Sequence, residues 1–264
     1  MGSPGSNPQR TELHPIAAVA VLLLGLGAML VTARLAAGYG LRAMFLLAEA
    51  ALCLPGLVAL AVRAAPMRSS LGAVALDRRR ALYALGAGAT LWVASLGLFE
   101  LQAAVWPPDP GYLEAFRRIH ELLRPSGVID AFVSVAAIAL VPALCEEALL
   151  RGILLPSLAR PLGPAAGVLV SAFLFGAIHL DLYRFPFTFA VGVALGVLRL
   201  RAGSLQAPIL AHALLNTITF AAAPFAGDPT AETASPLLGA ALLALGVAAS
   251  IAAIVAVGRP PKRM

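Results

Sequence analysis

Six polar or ionisable side chains lie inside hydrophobic stretches of this chain, and their types suit the chemistry of amide bonds. Two adjacent glutamates and an arginine share one stretch, a histidine follows in the next, and a histidine with an asparagine lies in a third: Glu146, Glu147, Arg151, His179, His212 and Asn216. A charged side chain near the centre of a membrane helix costs roughly 2.5–3.5 kcal/mol, so such residues usually face a protein interior or a wet cavity. They are the first candidates for a functional site.

The spacing of the charged residues gives the two glutamates different roles. Residues four apart share one face of a helix, so Glu147 and Arg151 can form an ion pair while Glu146 points about 100° away. The arginine would keep Glu147 ionised and fixed, which suits a structural role. Glu146 has no such cation, so we predict that it is the reactive base.

The two later stretches can bring imidazole and amide groups to the same site. Four-residue spacing places Phe175 over His179, and it puts His212 and Asn216 on one face of a third helix. Glu146 with His179 would bind and deprotonate a water molecule. His212 and Asn216 would donate hydrogen bonds to the oxyanion that forms on the attacked carbonyl. Together these groups are sufficient for hydrolysis of an amide.

The composition indicates that the helices carrying these residues cross a membrane. Hydrophobic residues make up 60% of the chain and charged residues 12%, about half the charge of an ordinary soluble domain. Residues 107–126 predict a loop followed by a short amphipathic interfacial helix. Runs of about 20 apolar residues predict an all-α, polytopic transmembrane helical bundle of about eight helices, at 15–33, 43–64, 81–105, 127–158, 164–180, 185–200, 204–225 and 236–257.

One membrane domain is expected between two short tails. Residues 1–14 predict a disordered polar cytoplasmic tail, residues 15–258 a single transmembrane helical domain with catalytic motifs in 146–216, and residues 259–264 a basic cytoplasmic tail. The fourth span is too long for a perpendicular crossing, so we expect it to be tilted, or divided near Pro142. The fifth and sixth spans are short enough that either could be partly re-entrant.

The arginines predict the orientation, because cytoplasmic loops carry an excess of Lys and Arg. With the N-terminus inside, the second and sixth loops are cytoplasmic and hold Arg63, Arg68, Arg78, Arg79, Arg80, Arg199 and Arg201. Arg34 and Arg42 flank the first external loop and fit less well. Depths counted from the cytoplasmic ends of the spans predict a cavity that opens toward the cytoplasm. The net charge of +6 follows from the loop arginines and needs no nucleic-acid partner.

Three motifs together resemble those of the CPBP family of intramembrane proteases, which includes the CAAX prenyl endopeptidases and many bacterial members. Glu-Glu-x-x-x-Arg at 146–151, Phe-x-x-x-His at 175–179 and His-x-x-x-Asn at 212–216 are complete and in this order. The resemblance implies an intramembrane endopeptidase. By resemblance, the catalytic residues are Glu146, His179, His212 and Asn216, and the supporting residues are Glu147, Arg151 and Phe175.

Two forms of the site chemistry stay open. A glutamic-type protease without a cofactor is favoured, because no His-Glu-x-x-His pair occurs on one helix and an asparagine suits an oxyanion pocket better than a metal. Glu146, His179 and His212 could instead bind zinc and leave the fourth position open for water.

Two other classes of membrane protein compete with a protease. A proton-coupled transporter would use intramembrane Glu and His residues as a relay, but it predicts internal repeats, and the charged motif is not repeated between the halves of the chain. A non-catalytic scaffold or immunity-type protein would use the same polar residues to hold helices together, which is the more common role of any one of them alone. Only their convergence on one cavity favours chemistry.

The expected substrate is a membrane-anchored protein or peptide, cut near its C-terminus within the lipid bilayer. A prenylated C-terminus and a bacterial sorting tail of the myxosortase kind both fit the resemblance. The chain is rich in Ala, Leu, Gly and Arg and has one Lys, which resembles a GC-rich bacterial coding sequence. This composition favours a bacterial inner membrane.

Overall fold

The computed structural model describes residues 13–63, 67–223 and 235–258. These ranges contain ten helices, one 3-10 turn at Ala37–Tyr39 and no strand, which confirms the predicted all-α polytopic bundle. In chain order the helices are α1 (Pro15–Ala36), α2 (Leu41–Val62), α3 (Met67–Ser70), α4 (Arg78–Val105), α5 (Pro110–Leu123), α6 (Val128–Leu162), α7 (Pro164–Ala177), α8 (Phe185–Ala202), α9 (Gln206–Ala222) and α10 (Pro236–Val257).

Six helices in the described ranges are long and apolar enough to cross a membrane: α1, α2, α4, α6, α8 and α10. Helices α7 and α9 occupy the fifth and seventh predicted spans and have 14 and 17 residues. At 1.5 Å per residue they reach about 21 and 25 Å, short of a hydrocarbon core of about 30 Å. The eight predicted spans are therefore six long helices and two shorter ones, and the shorter ones carry or adjoin the predicted histidines.

Helix α6 is continuous over 35 residues, so the expected division near Pro142 does not occur. Two π-helical stretches, Ala136–Leu140 and Ala148–Leu154, flank the α-helical segment Val141–Glu147. A proline inside an α-helix has no N–H to donate and collides with the carbonyl four residues earlier, and a wider turn ahead of Pro142 relieves that conflict. Such π turns are uncommon and often occur at functional sites.

The described chain begins and ends at one face of the bundle, which we call the terminal face. Arg80 at the start of α4 donates to the carbonyl of Val257 at the end of α10 and to that of Ala202 at the end of α8. The N–H of Leu205, just before α9, donates to the carbonyl of Gly72 at 2.9 Å. Because α1 and α2 form a hairpin, the start of α1 lies at this face too.

The opposite face, called the distal face here, gathers the other helix ends. Arg42 at the start of α2 donates to the carbonyl of Leu123 at the end of α5. Gln102 near the end of α4 donates to the carbonyl of Tyr183 at 2.7 Å, in the turn between α7 and α8. The predicted interfacial helix after residue 107 is α5, and it lies at the distal face.

The membrane domain begins two residues earlier than predicted. Leu13 is 6% exposed and packs in the main hydrophobic core. The side chain of His14 accepts a hydrogen bond from the N–H of Ile16 and caps the start of α1. Leu13 and His14 therefore belong to the domain and not to a disordered tail. The rest of the N-terminal tail and the tail 259–264 lie outside the described residues.

Helices α4 and α10 pack closely because small residues face each other. A Cβ atom added to Gly97 would lie 2.2 Å from the backbone nitrogen of Leu243 and 2.6 Å from the carbonyl oxygen of Gly239. One added to Gly246 would lie 2.3 Å from the backbone nitrogen of Ala94. Small residues let helix backbones approach, and dispersion contacts between close helices drive their association in membranes.

Replacement of Gly97 by alanine should loosen this contact. The Gly97→Ala change forces the two backbones apart, and overpacking of this kind costs about 1–3 kcal/mol, so the midpoint of thermal unfolding in detergent should fall. Gly86→Ala on the same helix is the matched control, because a Cβ there meets nothing within 4 Å and alanine is the better helix former. Equal midpoints for the two variants would contradict the packing.

Candidate active site

The predicted ion pair between Glu147 and Arg151 forms in the middle of α6. Nη1 of Arg151 lies 2.8 Å from Oε1 of Glu147, and both side chains are fully buried. Nη2 donates to the carbonyl oxygen of Gly192 on α8 at 2.9 Å, and the guanidinium carbon lies 4.7 Å from the ring centroid of Phe175 on α7. One arginine therefore joins α6, α7 and α8.

His212 lies between the two glutamates. Its Nδ1 is 2.9 Å from Oε1 of Glu147, and its Nε2 is 3.7 Å from Oε2 of Glu146. An ionised carboxylate only accepts hydrogen bonds, so the contact with Glu147 assigns a proton to Nδ1. The imidazole of His212 therefore turns Nε2 toward Glu146.

His179 follows the last turn of α7, where its ring is held by the backbone. Nδ1 lies 2.8 Å from the carbonyl oxygen of Phe175, and because a carbonyl only accepts, Nδ1 carries the proton and Nε2 keeps a lone pair. No hydrogen bond or ion pair joins His179 to Glu146 within the described part of the chain. His179 can thus accept a hydrogen bond from a water molecule but does not itself contact the carboxylate.

Phe175 forms a common wall for the imidazoles and the guanidinium. Its ring is 2% exposed. The His179 ring meets it edge-on with 5.0 Å between centroids, and the His212 ring does so with 5.7 Å. The phenylalanine of the second motif therefore sets the separation of the two histidines.

Asn216 lies one turn beyond His212 on α9 and faces the first π-helical stretch of α6. Its Nδ2 is 3.5 Å from the carbonyl oxygen of Ile138, a long hydrogen bond. Pro142 has no N–H, so it cannot supply the bond that an α-helix would give to that carbonyl. Among the described residues, the structure gives Asn216 no hydrogen bond to His179, His212 or Glu146.

Two charged residues near the site were not predicted from the sequence. Glu49 on α2 has a buried Oε2 atom without a hydrogen-bond partner in the described ranges, and its charge interacts with that of Glu146. Arg184, exposed at the start of α8, interacts electrostatically with Glu49, Glu146 and His179. A single carboxylate inside the apolar run 43–64 was a usable signal for Glu49. Nothing in the sequence distinguished Arg184 from other loop arginines.

The described residues contain no group of three or more His, Cys, Asp or Glu side chains arranged to bind a metal ion. Nδ1 of His179 is hydrogen-bonded to Phe175 and Nδ1 of His212 to Glu147, so Nε2 of each ring is the nitrogen left for zinc. Zinc binding by these three residues stays a prediction.

The family model described as Type II CAAX prenyl endopeptidase Rce1-like matches residues 128–218. The predicted family resemblance is confirmed. This Rce1-like segment spans about a third of the chain and contains α6, α7, α8 and most of α9, so all seven predicted site residues fall inside it. No curated protein and no solved structure matches the chain significantly.

The Rce1-like match supports an intramembrane endopeptidase of the CAAX type. Together with the six long apolar helices it supports a multi-pass membrane protein. The Rce1-like match and the apolar helices together indicate a substrate that is associated with the membrane.

Loss of one partner of the buried ion pair should be much more damaging than loss of both. Arg151→Met leaves the Glu147 carboxylate buried without its cation, which typically costs about 3–5 kcal/mol, so the midpoint of thermal unfolding in detergent should fall sharply. The double variant Glu147→Gln with Arg151→Met should recover part of that loss.

The exposed pair of Glu114 and Arg117 on α5 provides the control. Arg117→Met should change the unfolding midpoint little, because solvent screens exposed pairs. The loss of stability in the double variant is compared with the summed losses of Glu147→Gln and Arg151→Met. Equal values would show that the two residues do not stabilise each other.

Proposed function

We propose that this protein is a glutamic-type intramembrane endopeptidase that cuts a membrane-anchored protein near its C-terminus. The observation that carries the proposal is the position of His212 between Glu147 and Glu146, with Nε2 turned to the second carboxylate. A pair formed only to neutralise Arg151 would need no imidazole and no second glutamate. A base next to a hydrogen-bond donor for the oxyanion is what hydrolysis of an amide requires.

Charge balance gives Glu146 and His212 one proton to share. Buried charges are costly unless they are compensated. Arg151 balances Glu147, and Arg184 is the opposite charge that interacts with Glu49. The remaining two groups are then neutral together in either of two forms, a carboxylic acid with an imidazole or a carboxylate with an imidazolium. The second form supplies both functions at once, because Glu146 is then a base and Nε2 of His212 is a hydrogen-bond donor.

The reaction follows from these positions. A water molecule hydrogen-bonds to the Glu146 carboxylate and to Nε2 of His179. Glu146 takes one proton from the water while the oxygen attacks the carbonyl carbon, and Nε2–H of His212 donates to the oxyanion. The C–N bond then breaks and the leaving nitrogen takes the proton from Glu146. One water and one peptide bond become an acid and an amine, and Glu146 is again a carboxylate.

Asn216 supplies a second donor to the oxyanion in this proposal. Its only hydrogen bond among the described residues is the 3.5 Å contact with Ile138, which a rotation of the side chain can exchange for the substrate oxygen. Two donors on one helix, from His212 and Asn216, would then hold the developing charge from the same side.

The proposed location is a bacterial inner membrane with both termini in the cytoplasm. In the described loops and helix ends, the terminal face carries more arginines and almost no acidic residues, as cytoplasmic loops do. Its charged residues are Arg63, Arg68, Asp77, Arg78, Arg79, Arg80, Arg160, Arg199 and Arg201. Those of the distal face are Arg34, Arg42, Glu100, Asp109, Glu114, Arg117, Arg118, Glu121, Arg124, Asp130, Asp181 and Arg184.

Replacement of the proposed base should abolish cleavage without loss of the protein. Peptide C-termini of the membrane proteome should change between cells with the intact protein and cells with Glu146→Gln, since a carboxamide cannot accept the water proton. General-base loss typically lowers the rate by about 10²–10⁴. Glu114→Gln on the exposed face of α5 is the control and should leave the peptide pattern unchanged. Identical patterns for the intact protein and Glu146→Gln would support a scaffold instead of an enzyme.

Glu147 and His212 should act as one unit. Glu147→Gln removes the anion on Nδ1, and His212→Gln removes the imidazole, so with purified protein and a substrate from the mapping each should lower kcat by about 10²–10³, as loss of an oxyanion donor does. The double variant should be no slower than the slower single variant, because residues that work together are strongly non-additive. Losses that multiply in the double variant would show that Glu147 and His212 act independently, which would contradict the proposal that Glu147 acts through His212.

A further inference from the structure

Along the helices that carry the site, side chains are buried toward the terminal face and more exposed toward the distal face. On α6, all residues from 146 to 155, toward the terminal face, are buried. On α9, Ala211 and His212 are buried, whereas every residue from 216 to 222, toward the distal face, is at least partly exposed. The site is therefore covered by tightly packed protein toward the terminal face and by less protein toward the distal face.

The space between the site and the terminal face is filled with apolar side chains. Five leucines on α6 and α8 have no exposed surface: Leu149, Leu150, Leu154, Leu195 and Leu198. Arg151 lies among them and is equally buried. With the terminal face as the proposed cytoplasmic side, this packing favours another opening than the expected one toward the cytoplasm. The sequence gives only how deep each site residue lies along its own helix. It does not show on which side of the site the leucines of different helices pack together.

The turn between α7 and α8 lies on the distal side of the site. His179 is half-buried, and after it Leu180 and Leu182 are 65% and 75% exposed. Arg184 in the same turn is exposed, yet its charge acts on both Glu146 and His179. His179 is thus followed directly along the chain by a residue at the distal surface. The site is therefore close to the distal surface.

We infer that the site opens to the distal face and that its substrates enter from the non-cytoplasmic side of the membrane. This inference rests on the proposed protease function and on cytoplasmic termini. The substrate class is then an exported, membrane-anchored protein, cut in the segment that leaves the bilayer on that side. A prenylated C-terminus made in the cytoplasm would reach the terminal face and meet the packed leucines.

Cysteine labelling in spheroplasts tests the inference without a known substrate. The two native cysteines, Cys53 and Cys145, are replaced by alanine, and single reporters are introduced as His179→Cys, Leu182→Cys and Arg160→Cys. A membrane-impermeant maleimide is applied before and after permeabilisation. The ratio of labelling before to after should be close to one for His179→Cys and Leu182→Cys and close to zero for Arg160→Cys, which lies at the terminal face.

Two results would overturn the inference. Labelling of Leu182→Cys only after permeabilisation, with Arg160→Cys labelled before it, would reverse the orientation. Labelling of Leu182→Cys from outside but of His179→Cys only after permeabilisation would place the opening at the terminal face. If the protein with both native cysteines replaced by alanine does not accumulate, the same reporters are introduced into the unaltered chain. Labelling of the unaltered chain without a reporter is then subtracted.

Labelling separates this inference from the proposed function. Accessibility of a cysteine does not depend on turnover, so a protein that is no protease would still give the expected labelling but no change in peptide C-termini with Glu146→Gln. A protease whose site opens to the terminal face would show a change in peptide C-termini with Glu146→Gln, but it would not give the expected labelling.

Discussion

The contact on which the site depends is the buried ion pair between Glu147 and Arg151. Neither charge reaches solvent, so each is compensated by the protein: Arg151 by Glu147, by the Gly192 carbonyl and by the face of Phe175. These contacts lie on three helices, and they set how α6, α7 and α8 meet. Glu147 in turn holds Nδ1 of His212 on a fourth helix, so loss of the pair would release the proposed donor as well as destabilise the bundle.

The shortness of α7 follows from the need to hold polar groups inside the membrane. A site inside the membrane needs polar groups that reach its interior from several sides, and α7 ends just before His179, with 14 residues, so that the turn after it carries the imidazole to the site. The two π-helical stretches of α6 lie on either side of the segment that ends in Glu146 and Glu147. These stretches change the direction in which successive side chains point, which regular helical spacing alone does not describe.

Sequence spacing was sufficient for contacts within one helix and insufficient for contacts between helices. The pairing of Glu147 with Arg151 depends only on a separation of four residues, and the structure contains it. The placement of His212 against both glutamates depends on how α9 crosses α6, and the long contact of Asn216 with Ile138 depends on a π turn; neither has a local signal. Glu49 stands alone in its apolar run, and its electrostatic interaction with Glu146 joins two helices, so spacing along the chain does not predict it.

An experimental structure with ordered water at the site tests the central claim most directly. The account predicts one water molecule within hydrogen-bonding distance of both the Glu146 carboxylate and Nε2 of His179, with Nδ1 of His212 on Glu147. A metal ion bound by Glu146, His179 and His212 would contradict the account. So would side chains at 146 and 179 that face separate pockets with no shared water.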